Sequence, residues 1–250
     1  MRTELIGAEL TTAQAEQFDK YCALLVEWNK VMNLTAIVDP DEVAVKHFAD
    51  SLTLLPYLDR AGTRSLIDVG TGAGFPGIPL KIMRPELEVT LLDSLEKRVR
   101  FLNAVIGELG LSGIRTIHAR AEDAGRDRKL RGQFDAATAR AVAPMNVLCE
   151  FCLPFVRPGG RFLAMKGPAQ EDFGRALKEL GGETESDEVF ELRGAGGESE
   201  AASGGEGGDS KAASGGEASM QRRIISIIKI GATPAKYPRR AGLPAKKPIA

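Results

Sequence analysis

The chain predicts an α/β fold: a doubly wound, mostly parallel sheet of the Rossmann-like kind, with an N-terminal helical extension and a C-terminal antiparallel strand pair. Three observations carry that prediction. From Ser65 onward, short apolar runs of strand length alternate with helix-length stretches, which implies right-handed crossovers and a sheet covered on both faces. Before Ser65 the apolar residues recur only at helical spacing. The last two strand-like runs have no clear helix between them, so they pair antiparallel.

Taken in order, residues 11–32 read as an amphipathic helix whose stripe is Phe18, Tyr21, Cys22, Leu25, Trp28 and Met32, with Thr11 or Thr12 as N-cap. A second helix begins after Asp39-Pro40, passes through His47 and Ser51 and stops before Pro56. Strands follow at Ser65–Val69, Glu88–Asp93, Ile114–Ala119, Phe134–Ala139 and Gly160–Lys166. Helices are expected at Leu95–Leu109, Pro144–Val156 and Glu171–Leu180. The final strands lie near Thr184–Leu192 and Arg222–Ile230. Between them, residues 194–219 hold nine Gly, six Ala, five Ser, four Glu, one Asp and one Lys, a composition that cannot bury a core and is expected to be disordered. The chain therefore divides into a helical extension (1–60), an α/β core (61–193), an insertion (194–219), a final core strand (220–232) and a basic extended tail (233–250).

Apolar residues make up 43% of the 250 and charged residues 27%, enough for a core and a polar surface. No uninterrupted apolar run is long enough to span a membrane, and Met1-Arg2-Thr3-Glu4 lacks the pattern of an export signal. Three cysteines make no disulfide framework, so a reduced, cytoplasmic setting is expected. The net charge of −1 averages unequal parts. Residues 221–250 carry eight basic side chains and no acid, whereas 194–219 carry a net −4. A local basic surface is compatible with that total.

The densest chemical signal is Asp68-Val69-Gly70-Thr71-Gly72-Ala73-Gly74-Phe75-Pro76-Gly77, a buried strand running into four glycines, with a helix expected from Pro76. Such a loop lets a ligand approach the backbone closely. Gly72-x-Gly74-x-x-Gly77, with Asp93 about 20 residues on, also matches the dinucleotide fingerprint, so an NAD-binding protein is one reading. S-adenosyl-L-methionine is favoured. Asp68 stands at the strand end, where it can meet an ammonium directly or through water. Pro76 offers no N–H to a pyrophosphate, and Glu122 and Asp123 follow the third strand near an adenine edge. Asp93 then suits the two ribose hydroxyls, although an N-cap for the next helix would occupy the same position. No metal is expected.

These residues, with Trp28-Asn29-Lys30, Asn33-Leu34-Thr35, His47-Phe48-x-Asp50-Ser51-Leu52, Leu92-Asp93-Ser94-x-x-Lys97-Arg98, Arg120-Ala121-Glu122, Ala139-Arg140-Ala141, Lys166-Gly167 and Tyr237-Pro238-Arg239, resemble the glucose-inhibited division protein B family, the RsmG-type 16S ribosomal RNA guanine-N7 methyltransferases. The resemblance runs over nearly the whole chain. It departs at 194–219, where relatives have a shorter connection. It implies a class I methyltransferase that methylates N7 of a guanine in 16S ribosomal RNA, free or in the small subunit. It also implies cofactor contacts at Gly70, Phe75, Asp93, Ser94, Leu95, Ala121, Glu122 and Arg140, beside Asp68, Gly72 and Gly74 of the loop.

Guanine N7 bears a lone pair and no proton, so no catalytic base is assigned; Arg140 and Lys166 are candidates to position the base. Arg222, Arg223, Lys236, Arg239 and Arg240 are candidates for phosphate contact, against a plain solvated tail. His47 is as well explained by packing as by ligand contact, and Cys149-x-x-Cys152 lies in an apolar helix and reads as core. A small-molecule methyltransferase and a non-catalytic nucleotide-binding module are the competing classes.

Overall fold

The structure, a computed structural model, describes residues 1–140, 143–192 and 220–249. The insertion expected to be disordered (194–219) lies outside the described residues, as does Ala141.

Seven strands form one sheet in the order β3-β2-β1-β4-β5-β7-β6. They are β1 (Ser65–Val69), β2 (Glu88–Asp93), β3 (Ile114–His118), β4 (Phe134–Arg140), β5 (Val156–Lys166), β6 (Gly182–Leu192) and β7 (Met220–Lys229). The first five are parallel, β7 runs antiparallel to β5, and β6 pairs antiparallel with β7 at the edge. Central strands are buried on both faces, which is why they read as continuous apolar runs. The order reverses between β1 and β4, the switch point outside whose carboxyl ends a ligand crevice forms.

Helix α1 (Thr12–Met32) starts on a Thr11–Gln14 capping box and ends on Asn33 in the left-handed conformation. The expected second helix is present but not regular. It comprises α2 (Pro40–Val43), a π-helical stretch at Ala44–Ala49 and α3 (Asp50–Leu52). Pro56 does not end the helical region: it opens α4 (Leu55–Arg60), where a first-turn proline lacks only a donor that would be unpaired anyway. The remaining helices are α5 (Gly77–Met83), α6 (Glu96–Glu108), α7 (Ala121–Ala124), α8 (Met145–Cys152), α9 (Gly174–Leu180) and α10 (Leu243–Lys246). The extension packs on the sheet through Phe18, Tyr21, Leu25 and Phe48, which share a core with Phe75, Ile78 and Phe101. A second core on the opposite face joins Leu148, Cys149, Cys152 and Phe155 of the α8 region to Phe162 and Ile227.

The segment after Thr233 corrects an expectation. It is not an extended tail but a strap laid across α9, α8 and α7 in turn, and each helix supplies one glutamate to hold it. Glu179 of α9 accepts the Tyr237 hydroxyl and faces Lys236 at 3.7 Å. Glu150 of α8 accepts from the Arg239 backbone N–H at 2.7 Å and from its guanidinium at 2.6 and 3.0 Å. Glu122 of α7 accepts the Gly242 N–H at 2.7 Å. Arg126 and Arg131 cap strap carbonyls at Pro238 and Tyr237, and Tyr237, Pro244 and Ile249 are buried. Such scattered anchors follow no period, so the sequence pattern shows none of them.

Candidate active site

A cavity of about 600 Å³ opens at the carboxyl ends of β1, β2, β4 and β5. Its floor is the turn Gly70–Ala73. Gly70 and Gly72 adopt positive φ, and a Cβ on Gly72 would meet no atom within 4 Å, so the backbone there faces open space. Gly74 and Gly77 serve packing instead. A Cβ on Gly74 would lie 2.5 Å from the Tyr21 hydroxyl, and one on Gly77 would lie 2.4 Å from Leu91. Gly74 thus lets α1 close against the loop, where Tyr21 donates to the Ala73 carbonyl at 2.5 Å.

Asp68 lies beneath this floor, not in the cavity wall. One carboxylate oxygen accepts from Thr71 Oγ1 (2.6 Å) and the Gly77 N–H (2.9 Å); the other is buried without a partner. Burial pushes its carboxyl up to about 6, against the pull of those hydrogen bonds. Asp93 ends β2 at the cavity wall, accepting from the Gly72 N–H and the Leu95 N–H, each at 2.9 Å. Arg98 stands 3.4 Å from the same carboxylate, with its Nε buried and unpartnered.

Elsewhere in the cavity lining, charged and aromatic groups from four elements gather around Phe75. The His47 ring stacks on it at 4.5 Å between centroids, and the Arg140 guanidinium caps it at 4.9 Å. Asp50, whose side chain is 3% exposed, accepts from Arg140 (3.1 Å) and from Arg222 of β7 (2.9 Å). His47 Nδ1 lies 3.3 Å from Arg140 and Nε2 lies 2.9 Å from Thr35 Oγ1. Burial and the neighbouring Arg140 push the His47 pKa down to about 3, so the ring is neutral near pH 7. The Asn29 side chain holds the adjacent wall by accepting the N–H groups of Leu34 and Thr35. Lys166 lines the far side, paired with Glu171 at 2.7 Å and donating to the Ala143 carbonyl at 2.9 Å.

Comparison with known proteins bears on this geometry. The family described as rRNA small subunit methyltransferase G matches residues 14–190. The chain belongs to that family. Curated relatives named ribosomal RNA small subunit methyltransferase G include one from Brevibacillus brevis, 45% identical over 97% of this chain and 94% of its own length. Another, from Leuconostoc mesenteroides, is 47% identical with the same coverages. Among solved structures, an O-methyltransferase from Bacillus cereus in complex with SAH shares the fold at a TM-score of 0.53 and 16% identity, covering 84% of this chain and 91% of that one.

The rRNA small subunit methyltransferase G family is a methyltransferase family, and its cofactor is S-adenosylmethionine. The residues here fit that cofactor: an exposed glycine backbone at Gly72, and beside it a carboxylate, Asp93, with lone pairs to spare. Of the residues expected to bind it, Gly70, Gly72, Phe75, Asp93, Ser94 and Arg140 line the cavity. Asp68, Gly74, Leu95, Ala121 and Glu122 do not. Leu95 contributes its N–H to Asp93, and the Glu122 carboxylate lies outside the cavity lining with one oxygen accepting the strap's Gly242 N–H.

Of the expected phosphate contacts, Arg222 lines the cavity and Arg240 is exposed, while Lys236 is exposed and faces Glu179. Arg223 and Arg239 are not free cations. Arg223 is 7% exposed and forms a two-pronged pair with Asp187, and Arg239 is held by Glu150. Sequence reasoning missed the Asp50–Arg222 and Glu150–Arg239 pairs, although an acid inside the apolar run Met145–Cys152 signals a buried carboxylate that needs a cation. No described helix is long and apolar enough to cross a membrane, and no metal-binding group occurs among the described residues.

Proposed function

We propose that this chain methylates N7 of a guanine in 16S ribosomal RNA, and that it does so in the cytoplasm on RNA that is free or assembled into the small subunit. The observation that carries the reading is the cluster around Phe75: an aromatic ring capped by a fixed guanidinium, lining the same cavity as the glycine turn and Asp93. When bound, S-adenosylmethionine supplies an electrophilic methyl group. The chain's own residues have no proton to remove, because guanine N7 is an in-plane lone pair. Their task is to hold the base and complement the charge that moves.

Arg140 is suited to that task because Asp50 and Phe75 fix its guanidinium before substrate arrives, leaving donors for an acceptor such as guanine O6. Lys166 is held in the same way by Glu171 and the Ala143 carbonyl, with one donor remaining. Neutral His47, stacked on Phe75, holds that ring in place without adding a charge that would compete with the sulfonium. Arg240, exposed and without an ion pair among the described residues, supports the RNA part of the reading as a phosphate contact; Arg222 and Lys236 are proposed beside it, each sharing its charge with a carboxylate, Asp50 and Glu179 respectively.

The test is incubation with radiolabelled S-adenosylmethionine, using unmodified small-subunit particles and naked 16S RNA, followed by mapping of the label. Label at N7 of one guanine is expected. Absence of label from both substrates would falsify the proposal, and label on a small molecule alone would replace it. Arg140→Ala is expected to lower turnover at least tenfold; unchanged turnover and cofactor affinity would remove Arg140 from the site.

A further inference from the structure

The strap brings two stretches of cations together that are more than a hundred residues apart in sequence. Arg120, Arg128 and Lys129 lie in the connection around α7, and all three are exposed. Arg240, Lys246 and Lys247 lie on the strap, also exposed. The two stretches are joined directly by the Gly242–Glu122 hydrogen bond, the 2.8 Å bond from Arg126 to the Pro238 carbonyl, and the approach of Pro238 to Gly125. Arg120 and Arg240 each stand two residues from that Glu122–Gly242 contact. None of the six cations has a carboxylate within ion-pairing distance among the described residues. The exposed acids on these stretches are Asp123 and Asp127.

We infer that this joined surface docks the phosphate backbone of the RNA substrate outside the cavity, so that recognition extends from the cavity mouth across α7 and the strap. The inference rests on the proposed RNA substrate and adds a surface to it. Position supports it: β3 ends at His118, in register with Asp93 at the cavity, and Arg120 follows two residues later. Charge asymmetry supports it too. The opposite edge of the sheet, β6, carries five acids; Glu185 and Asp187 are paired with Arg161 and Arg223, and Glu183, Glu188 and Glu191 form no ion pair among the described residues, so an RNA backbone is favoured at the β3 end over the β6 end. Finally, Glu122, Glu150 and Glu179 fix the strap in advance, so binding does not have to order it.

The test compares two triple variants, R120Q/R128Q/K129Q and R240Q/K246Q/K247Q, with the parent chain. Filter binding to 16S RNA across a salt series is measured beside methyl transfer, with S-adenosylhomocysteine affinity as the check that the fold persists. Each triple is expected to raise the Kd and KM for RNA about tenfold or more and to reduce the log–log salt slope by about 2 to 3, one per lost phosphate contact. Cofactor affinity should be unchanged. If both triples keep the parental RNA affinity and salt slope, the surface is not a docking site. If the parent chain itself labels no RNA, the proposed substrate fails instead, which is a separate result.

Discussion

His47 sits against a permanent cation and out of water, and the consequence is measurable. Its folded pKa of about 3 lies below the ordinary 6.5, so the stability linked to its neutral form is present above pH 6.5 and lost as pH falls from there toward 3. By pH 5 that loss amounts to about 2 kcal/mol, at roughly 1.4 kcal/mol per pH unit. Denaturant melts of the parent chain and His47→Asn between pH 7 and 5 should diverge by that amount; parallel curves would refute the assignment. Asp68 has the opposite sign. Its pKa, raised from 3.8 to about 6, gives stability below pH 3.8 that disappears as pH rises through 6, so Asp68→Asn should flatten that part of the profile. Asp93 bears on cofactor rather than stability. Asp93→Asn keeps an acceptor for the Gly72 N–H but loses the charge that would hold two hydroxyls, and S-adenosylhomocysteine should bind about tenfold more weakly or worse. Unchanged affinity by calorimetry would remove Asp93 from the ribose site.

At the scale of elements, α1 belongs to the site although it touches no substrate. Tyr21 reaches from it to the Ala73 carbonyl of the glycine turn, filling the space that Gly74 leaves open. Tyr21→Phe strands a buried carbonyl, a loss of about 1–3 kcal/mol, and should weaken cofactor binding by loosening the turn. Equal stability and affinity in the two proteins would show that packing alone holds it. Tyr21 also shows what was legible. Its place on a helical stripe was readable from spacing, its hydroxyl contact was not, because a pattern reports a face and not the partner opposite it. All seven strands were readable for the same reason, with ends displaced by a few residues; β5 begins at Val156, ahead of the glycines at 159–160 that make the stretch look like a turn. The short α7 and the π-helical stretch left no signal, since neither is long enough to set up a period. Within the site, Asp93 was readable as a cavity residue because it ends a strand about 20 residues after the glycine turn, whereas Phe75 and Arg140 are marked by the family resemblance; all three line the cavity. Asp50 and Arg222 meet across 172 residues, and nothing local marks such a pair.

Across the whole molecule, the strap unites three helices through one carboxylate each, and the middle one is critical. Glu150 is fully buried and Arg239 is its cationic partner. Arg239→Ala leaves that charge uncompensated, which costs about 3–5 kcal/mol and should lower Tm by roughly 10 °C. A melting temperature within ~2 °C of the parent would show that the strap is held by Tyr237, Pro244 and Ile249 instead.

The pocket around Phe75 takes His47 and Asp50 from the N-terminal extension, Phe75 from the loop after β1, Arg140 from β4 and Arg222 from a strand near the other end of the chain. Each junction closes a long stretch of polypeptide, which makes assembly late and slow relative to local helices. An intermediate lacking either the first helices or the β6–β7 hairpin cannot form the His47–Phe75–Arg140–Asp50–Arg222 cluster, even if its central strands already carry the glycine turn. If that cluster holds the base as proposed, methyl transfer waits until the N-terminal helices, the central strands and β7 have all come together.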